Sequence, residues 1–243
     1  MMEVKNYLLG YKDMYIFQDT DSFSFSLDSV LLPNFITINK NIKEILDIGC
    51  GNAPIPLILS TKTDANITGV EIQENSASLA QKSVDINNLE NKIKIVNKDI
   101  KEFASTIESD FYDIITCNPP FFKVSEGSNF NEKDAKTIAR HEVTLNLEDI
   151  LLISKKLLKN NGVLGIVHRP ERLVEILCMM KKYNIEPKKI RFVYPKEGME
   201  ANILLIEGKK NGNPGIKILP PLIAHEENGD YSKEVLKYFT EEE

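Results

Sequence analysis

The stretch EILDIGCGNAPIPL, Glu44 to Leu57, joins two apolar runs through a turn that contains two glycines. The run 44–50 predicts a buried strand, and the run that starts at Ile55 predicts a helix. Gly49 and Gly51 let the backbone between them turn tightly and approach a ligand closely. The order of strand, glycine loop and helix is typical of the first unit of a parallel α/β sheet.

Strand and helix patterns alternate along the rest of the chain. Further strands are predicted at 66–72, 92–99, 111–117, 162–168, 188–195 and 201–208. Helices are predicted at 74–89, near 147–159 and near 170–182. This alternation indicates βαβ units with right-handed crossovers, and the short link KEGME before the last strand allows only an antiparallel hairpin. We therefore predict an α/β fold: a Rossmann-like, seven-stranded, mostly parallel sheet with a C-terminal antiparallel hairpin strand.

The segment before the first strand has a different pattern. Phe23 and Phe25 alternate with serines, and Asp28 precedes the apolar run SVLLPNF. These features predict a short edge strand followed by a helix that is capped near Asp28. We expect residues 1–40 to form an extension that packs over the cofactor site of a main domain, residues 41–243.

The composition of the chain excludes several classes of protein. Its 243 residues are 42% hydrophobic and 27% charged, which is typical of a soluble globular protein. Cys50, Cys117 and Cys178 lie far apart without a C-x-x-C pair, which argues against a disulfide framework and a structural zinc site. The chain has no signal-peptide core and no run of about 18 apolar residues. We expect a cytoplasmic monomer without metal or membrane contact.

The charges are unevenly distributed along the chain. The net charge is −6, but residues 151–217 carry 14 Lys and Arg against 6 Asp and Glu, a net of +8. This segment fits either several solvated faces or one basic surface that meets phosphates. The polar segment 123–146 has a length typical of mobile or functional loops.

Carboxylates follow the first three predicted strands. Asp47 lies near the glycine loop, Glu71 ends the second strand, and Asp99 ends the third. These positions meet at the C-terminal edge of the sheet, where open α/β folds bind ligands. Each residue alone is more often a turn or cap residue, so the ordered set is what indicates a ligand. Glu71 suits a ribose diol, and Asp99 suits an adenine amino group. S-adenosylmethionine combines a ribose, an adenine and a positive charge. A nicotinamide dinucleotide would require a glycine in place of Pro54.

The run CNPPFF, Cys117 to Phe122, ends the fourth predicted strand, beside the point where the strand order should reverse. The following proline keeps Asn118 extended, and Pro119 and Pro120 stiffen the turn. The Asn118 side-chain carbonyl and the Pro119 backbone carbonyl can then hold the two N–H bonds of a flat amino group and aim its nitrogen at a methyl donor. The two phenylalanines that follow either stack on the ring that carries the amine or lie in the core under a turn.

Together with FSFSLDSVLL, ARHEVTLNLEDIL and GVLGIVHRPERLVEIL, these motifs resemble the tRNA1(Val) adenine N6-methyltransferases, a branch of the class I S-adenosylmethionine-dependent methyltransferases. The resemblance covers about residues 15 to 235. It implies that Asn118, Pro119, Pro120 and Phe121 hold the target amine and its base. The expected cofactor contacts are Asp28, Asp47, Gly49, Gly51, Glu71, Ile72, Asp99, Ile100 and Asn118, with a helix cap as the alternative role of Asp28.

The resemblance also implies a substrate and a product. We expect N6-methylation of adenine 37, next to the anticodon of a valine tRNA, with S-adenosyl-L-methionine as cofactor and S-adenosyl-L-homocysteine as product. An unstacked loop base is accessible to an enzyme, and segments 123–146 and 151–217 would hold the RNA backbone.

Three other functions stay open at this point. They are methylation of rRNA at adenine N6 or guanine N2, methylation of a release-factor glutamine at N5, and an inactive scaffold that only binds S-adenosylmethionine. The glutamine N5-methyltransferases have a sizeable helical substrate domain before the sheet, and the roughly 40 residues that precede the glycine-loop strand here disfavour that function. The intact Asn-Pro-Pro-Phe run argues against an inactive scaffold.

Overall fold

The computed structural model describes residues 3–8, 11, 13–19, 26–119 and 145–239. Its strands are β1 (Glu3–Tyr7), β2 (Tyr15–Asp19), β3 (Glu44–Ile48), β4 (Asn66–Glu71), β5 (Ile93–Asn97), β6 (Tyr112–Cys117), β7 (Leu158–His168), β8 (Ile185–Tyr194), β9 (Ile203–Lys210), β10 (Lys217–Ile218) and β11 (Leu222–Ile223). Its helices are α1 (Leu27–Phe35), α2 (Pro54–Lys62), α3 (Glu74–Ile86), α4 (Ile100–Thr106), α5 (Leu147–Leu157), α6 (Leu173–Lys182) and α7 (Lys233–Lys237). A 3-10 turn, Pro170–Arg172, precedes α6.

The main sheet has the predicted Rossmann-like, mostly parallel arrangement. Its strand order is β10-β8-β9-β7-β6-β3-β4-β5, and β11 also pairs with β8. Strands β3 to β7 pair in parallel, whereas β9 runs antiparallel to both β7 and β8. The predicted mostly parallel sheet with a C-terminal antiparallel hairpin is therefore confirmed. The short strands β10 and β11 extend it along the outer side of β8.

The central strand β3 is buried on both faces of the sheet. Ile45 packs in one apolar cluster with Leu31 of α1 and Leu57 of α2, and Leu46 packs in a second cluster with Leu151 of α5. Strands that are covered on both faces have continuous apolar sequences rather than alternating ones. This explains why the sequence of β3 predicted a buried strand in a parallel sheet.

The C-terminal end of helix α1 is fixed on the sheet. A Cβ atom at Gly165 of β7 would lie only 2.5 Å from Ile36 Cγ2, so the end of α1 lies directly on the backbone of β7. The Glu207 carboxylate of β9, which is 3% exposed, accepts hydrogen bonds from the Thr37 backbone N–H at 2.6 Å and its hydroxyl at 3.0 Å. Lys189 pairs with the same carboxylate at 2.8 Å. These contacts give the C-terminal end of α1 one defined position.

The beginning of α1 differs slightly from the prediction. Ser26, not Asp28, occupies the N-cap position, and Asp28 lies in the first turn, where its Oδ2 accepts a hydrogen bond from the Ser26 hydroxyl at 3.2 Å. A carboxylate in the first turn still interacts favourably with the helix dipole. The edge strand predicted at Phe23 and Phe25 lies outside the described residues.

Strands β1 and β2 form an antiparallel hairpin that the sequence analysis did not predict. The Asn87 side chain at the end of α3 accepts a hydrogen bond from the Tyr15 N–H at 2.9 Å and donates one to the Tyr15 carbonyl at 2.7 Å. Ser83 of α3 accepts one from the Phe17 N–H at 2.9 Å, and the Asn52 side chain donates one to the Phe17 carbonyl at 2.8 Å. The hairpin therefore connects α3 with the glycine loop.

We expect Gly165→Ala to lower the free energy of unfolding by about 1–3 kcal/mol, the usual cost of overpacking a filled core. The added methyl group would meet Ile36 Cγ2 at 2.5 Å and Leu32 Cδ1 at 3.3 Å, so α1 must shift. Urea denaturation measures the change. In the double variant Gly165→Ala/Ile36→Ala, the shorter side chain at position 36 leaves space for the added methyl group. The double variant should therefore lose less free energy of unfolding than the sum of the losses in the two single variants. Strictly additive costs would contradict the close packing of α1 on β7.

Candidate active site

The predicted site residues follow the C-terminal ends of four adjacent strands. After β3 the chain builds β4 and β5 on one side of it, and β6 then returns to the other side. Such a reversal of strand order opens a crevice at the C-terminal edge of a sheet, where ligands of open α/β folds bind. The glycine loop follows β3, Glu71 ends β4, Asp99 follows β5, and Asn118 follows β6.

The loop after β3 has backbone conformations that favour glycine. Gly49 has a φ of 68° and Gly51 a φ of 55°, so a side chain at either position would strain the backbone. The N–H groups of Gly49 and Cys50 donate to the Val70 carbonyl at 2.9 and 3.1 Å, which ties the loop to β4. Among the described residues, a Cβ atom at Gly49 or Gly51 would meet nothing within 4 Å. The loop therefore borders open space in which a ligand can lie against its backbone.

Glu71 supports the same loop from the end of β4. Its Oε2 accepts a hydrogen bond from the Gly51 N–H at 2.9 Å, and its Oε1 accepts one from the Gln73 N–H at 2.8 Å. Each carboxylate oxygen has a second lone pair, so the predicted bonds to a ribose diol are compatible with these contacts. The support of the glycine loop is a role of Glu71 that the sequence analysis did not predict.

Asp47 is a buried carboxylate at the end of β3. It is 1% exposed, and its Oδ1 accepts a hydrogen bond from the Thr116 hydroxyl at 2.6 Å. Its Oδ2 has no hydrogen-bond partner among the described residues. Burial raises the pKa of Asp47 to about 7, the Thr116 hydrogen bond opposes this rise, and the charge of Glu71 adds to it. A buried carboxylate oxygen without a partner is costly unless a ligand or a proton satisfies it.

Asp99 and Ile100 follow β5 at the C-terminal edge of the sheet. Asp99 is the N-cap residue of α4, where its Oδ1 accepts a hydrogen bond from the Lys101 N–H at 2.7 Å. This bond uses one of the two carboxylate oxygens, so a cap role and a ligand role are compatible. The Asn97 side chain donates to the Ile72 carbonyl at 3.1 Å. Ile72 is 43% exposed, which provides apolar surface at this edge, and Ile100 is buried.

Asn118 follows β6, and its side chain has a defined partner. Its Nδ2 donates a hydrogen bond to the hydroxyl of Ser29 in α1 at 3.1 Å. The preceding residue, Cys117, still pairs in register with both β3 and β7, and Pro119 is buried. The turn therefore starts from the centre of the sheet, next to the glycine loop of β3.

Asp28 lies next to Ser29 in the first turn of α1. Burial raises the pKa of Asp28, while the Ser26 hydroxyl and the charge of Arg169 lower it. Arg169 follows β7 and donates a hydrogen bond to the Asn202 carbonyl at 2.9 Å. The charge of Arg169 therefore acts on Asp28, the neighbour of the serine that holds Asn118.

The basic segment 151–217 does not present its full formal charge. Seven of its 14 basic side chains pair with carboxylates of the described residues; they are Lys159, Arg172, Lys181, Lys182, Lys189, Arg191 and Lys210. Several of these carboxylates come from other parts of the chain, including Asp113, Glu148 and Glu234. A single basic surface that meets RNA stays a prediction.

Some predicted features lie outside the described residues. These are Pro120, Phe121 and the larger part of the segment 123–146. Across residues 26–119, 145–239 and the shorter described ranges, no cluster of three or more His, Cys, Asp or Glu side chains could hold a metal ion. In the same ranges, no helix is both long and apolar enough to cross a membrane.

Three supporting side chains were missed in the sequence analysis. Thr116 holds Asp47, Asn97 holds the backbone after β4, and Ser29 holds Asn118. Thr116 interrupts the apolar run of a central strand, and Asn97 ends its strand with a polar side chain, so both carry a usable signal. A serine in an apolar helix carries no signal of a partner that lies 89 residues away.

The described residues fit S-adenosylmethionine in three respects. Asp47 Oδ2 is a buried acceptor without a partner, which suits a cationic or hydrogen-bonding ligand. The glycine loop borders open space at Gly49 and Gly51. The exposed side chain of Ile72, directly after Glu71, offers an apolar surface for a flat ring.

Comparison with known proteins agrees with this geometry. Residues 25–184 match the methyltransferase small domain. The chain belongs to the methyltransferase small domain family. The predicted enzyme class, an S-adenosylmethionine-dependent methyltransferase, and the predicted cofactor are therefore confirmed.

Two curated relatives of this methyltransferase share one name. A protein of Aeromonas hydrophila, 27% identical over 91% of both chains, and one of Trichodesmium erythraeum, 32% identical over 67% of both chains, are named tRNA1(Val) (adenine(37)-N6)-methyltransferase. The family resemblance that the sequence motifs indicated is confirmed by these matches.

Solved structures show the same fold. A crystal structure of a predicted O-methyltransferase from Agrobacterium tumefaciens covers 88% of this chain and 98% of its own, with a TM-score of 0.68 and 17% identity. Geranyl diphosphate C-methyltransferase from Streptomyces coelicolor, solved with S-adenosyl-L-homocysteine, covers 75% of this chain and 76% of its own, with a TM-score of 0.56 and 9% identity. At these identities the likeness concerns the methyltransferase fold alone.

We expect Asp47→Asn to gain stability relative to the wild-type methyltransferase as the pH rises. The pKa of Asp47 is raised from 3.8 to about 7, so its favourable contribution is complete below pH 4 and is lost as the pH rises through 7. An asparagine keeps an acceptor for Thr116 and does not ionise. Between pH 4 and 8, the free energy of unfolding of the variant relative to wild type should increase by up to about 4 kcal/mol. Urea denaturation without cofactor measures it.

Asp113→Asn is the matched control with the opposite sign. Partial burial tends to raise the pKa of Asp113, but hydrogen bonds from Lys159 and from the N–H groups of Lys43 and Glu44 outweigh this and lower it. Its stabilisation is therefore complete above pH 4 and lost on acidification below pH 4, so this variant should become less stable than wild type as the pH rises to 4 and then keep a constant difference up to pH 8. Parallel pH profiles for the two variants would show that Asp47 has no raised pKa.

Proposed function

We propose that this methyltransferase transfers a methyl group from S-adenosylmethionine to the exocyclic N6 amine of an adenine in tRNA, namely adenine 37 next to the anticodon of a valine tRNA. The observation that carries the proposal is the position of Asn118 and Pro119. They follow β6 at the reversal of strand order, next to the loop that contains Gly49 and Gly51.

We assign the cofactor to the carboxylates of the sheet edge. S-adenosylmethionine, when bound, supplies an activated methyl group on a positively charged sulfur. Asp47, Glu71 and Asp99 are the acceptors for its polar groups, and Ile72 and Ile100 provide apolar surface for its adenine ring. Asp28, Gly49, Gly51 and Asn118 complete the proposed set of contacts.

Asn118 and Pro119 orient the target amine in this proposal. Asn118 Oδ1 and the Pro119 carbonyl oxygen accept hydrogen bonds from the two N–H bonds of the amine, which leaves the nitrogen lone pair to face the methyl group. The lone pair is otherwise delocalised into the ring, so fixed acceptors favour the reactive geometry. Because the methyl donor is already activated, correct positioning of the amine supplies most of the rate acceleration, and a strong general base is not required. The amine proton passes to water after the transfer.

The remaining assignments complete the substrate side. Pro120 stiffens the turn, and Phe121 stacks on the target base, a contact worth about 1–3 kcal/mol for nucleic-acid bases on aromatic rings. Residues 1–40 cover the cofactor site, which the hydrogen bond between Asn52 and Phe17 and the docking of α1 support.

The choice of tRNA is supported by the printed names of the relatives and by the accessibility of a loop base. The Asn-Pro-Pro-Phe run fits any flat amino group, so it does not by itself separate tRNA from rRNA. An assay with both RNAs as substrates makes that distinction.

Asn118→Ala should reduce methyl transfer by at least about 100-fold, a loss typical of a removed transition-state acceptor. The dissociation constant for S-adenosylmethionine should stay within about two-fold of wild type, since other residues carry most cofactor contacts. Transfer of labelled methyl groups and isothermal titration measure the two quantities. Asn66→Ala is the matched control, because Asn66 starts β4 at the opposite edge of the sheet and donates to Glu44. Equal losses of transfer and cofactor binding in Asn118→Ala would mean that the residue is structural.

The substrate is tested with unmodified valine tRNA, the same tRNA with guanine at position 37, rRNA and release factor. We expect the wild-type enzyme to label only the first. Labelling of the guanine-37 tRNA would show that the enzyme does not require adenine at position 37, and labelling of rRNA or release factor alone would exclude the proposed substrate.

A further inference from the structure

The carboxamide of Asn118 has two ends with opposite roles. Under the proposed function, only Oδ1 can accept an N–H bond from the target amine, whereas Nδ2 would oppose it. Rotation about the last side-chain bond of asparagine is soft and exchanges the two ends. The backbone turn around Pro119 does not control that rotation, so a further group must hold the carboxamide.

Ser29 forms a hydrogen bond with this carboxamide. The Asn118 Nδ2 donates to the Ser29 hydroxyl at 3.1 Å, so the amino end of the planar amide, and not Oδ1, faces Ser29. Ser29 is 6% exposed, so water competes little for this hydrogen bond.

Both partners of this hydrogen bond have fixed backbones. The Ser29 N–H donates to the Ser26 carbonyl at 3.0 Å, and the next residues of α1, Val30 and Leu31, are each 1% exposed. Asn118 follows the central strand β6 and precedes a proline, which restricts its backbone. A hydrogen bond between two fixed elements can hold a side chain in one rotamer.

We propose that Ser29 is a positioning residue, which orients the Asn118 carboxamide so that its oxygen faces the target amine. Ser29 itself does not touch the substrate or the cofactor in this assignment. The inference rests on the proposed role of Asn118 as the acceptor of the amine. It gives the N-terminal helix α1 a part in catalysis beyond covering the site.

The kinetic test compares Ser29→Ala with wild type and with Ser29→Thr. Loss of one hydrogen bond should lower kcat about three- to ten-fold, while the KM for tRNA and the dissociation constant for S-adenosylmethionine stay within about two-fold. Ser29→Thr keeps a hydroxyl and should restore most of kcat. Ser60→Ala is the matched control, because Ser60 is a buried serine of α2 whose hydroxyl donates to the Leu57 carbonyl of its own helix. It should retain wild-type kcat.

A second measurement does not depend on any substrate. The side-chain amide signals of Asn118 in a ¹H–¹⁵N spectrum are assigned by their loss in Asn118→Ala. In Ser29→Ala these signals should move and their protons should exchange faster with solvent, while the backbone signals of the sheet stay in place. If the extra methyl group of Ser29→Thr lowers the melting temperature, the Ser29→Ala kinetics and this spectrum decide the question alone.

The outcomes separate this inference from the proposed function. Wild-type kcat together with unchanged Asn118 signals in Ser29→Ala would overturn the positioning role, even if tRNA is the substrate. A parallel loss of kcat, cofactor affinity and melting temperature would also overturn it, since it would make Ser29 a structural residue. If wild type methylates none of the RNAs tested, the proposed function fails, and the Asn118 signals still show whether Ser29 holds the carboxamide.

Discussion

The candidate site depends most on the two hydrogen bonds that the Glu71 carboxylate accepts. One oxygen accepts the Gly51 N–H and the other accepts the Gln73 N–H, so a single buried side chain joins the loop after β3 to the turn after β4. Removal of a buried charged acceptor would leave both N–H groups without partners, which is more costly than the net value of either bond. Any ligand that binds Glu71 therefore meets a group that is already held in place, which limits the reorganisation that binding requires.

The site also depends on a helix that lies outside the alternating part of the chain. The end of α1 is fixed by Gly165 beneath Ile36 and by Glu207 beside Thr37. In the first turn of α1, Ser29 accepts a hydrogen bond from Asn118. The C-terminal half of the chain thus positions α1 by packing, and α1 in turn contacts the motif at the end of β6. The candidate site is for this reason a product of the whole sheet rather than of the glycine loop alone.

Most of the fold and the positions of the main site residues were predictable from the sequence. Strands such as β3 are buried on both faces and have continuous apolar runs, and glycine and proline mark the turns between elements, so these signals are local. The positions of Asp47, Glu71 and Asn118 followed from strand ends. The supporting contacts were not predictable, because the bond from Asn118 to Ser29 spans 89 residues and the exposed sequence of β1 has no clear apolar alternation. Glu71 shows the same limit: its place was predicted, but its bond to Gly51 depends on how closely two loops approach.

The short strands β10 and β11 have a consequence for the enzyme in crowded solution. They pair with β8, which would otherwise end the sheet with a row of open backbone N–H and carbonyl groups. Open sheet edges of this kind recruit strands from other molecules and start aggregates. At the opposite side, β5 is only five residues long and carries the exposed Lys94, a charge that discourages such pairing. Residues 217–223 therefore cover part of the β8 edge, at which strands of another molecule could otherwise pair.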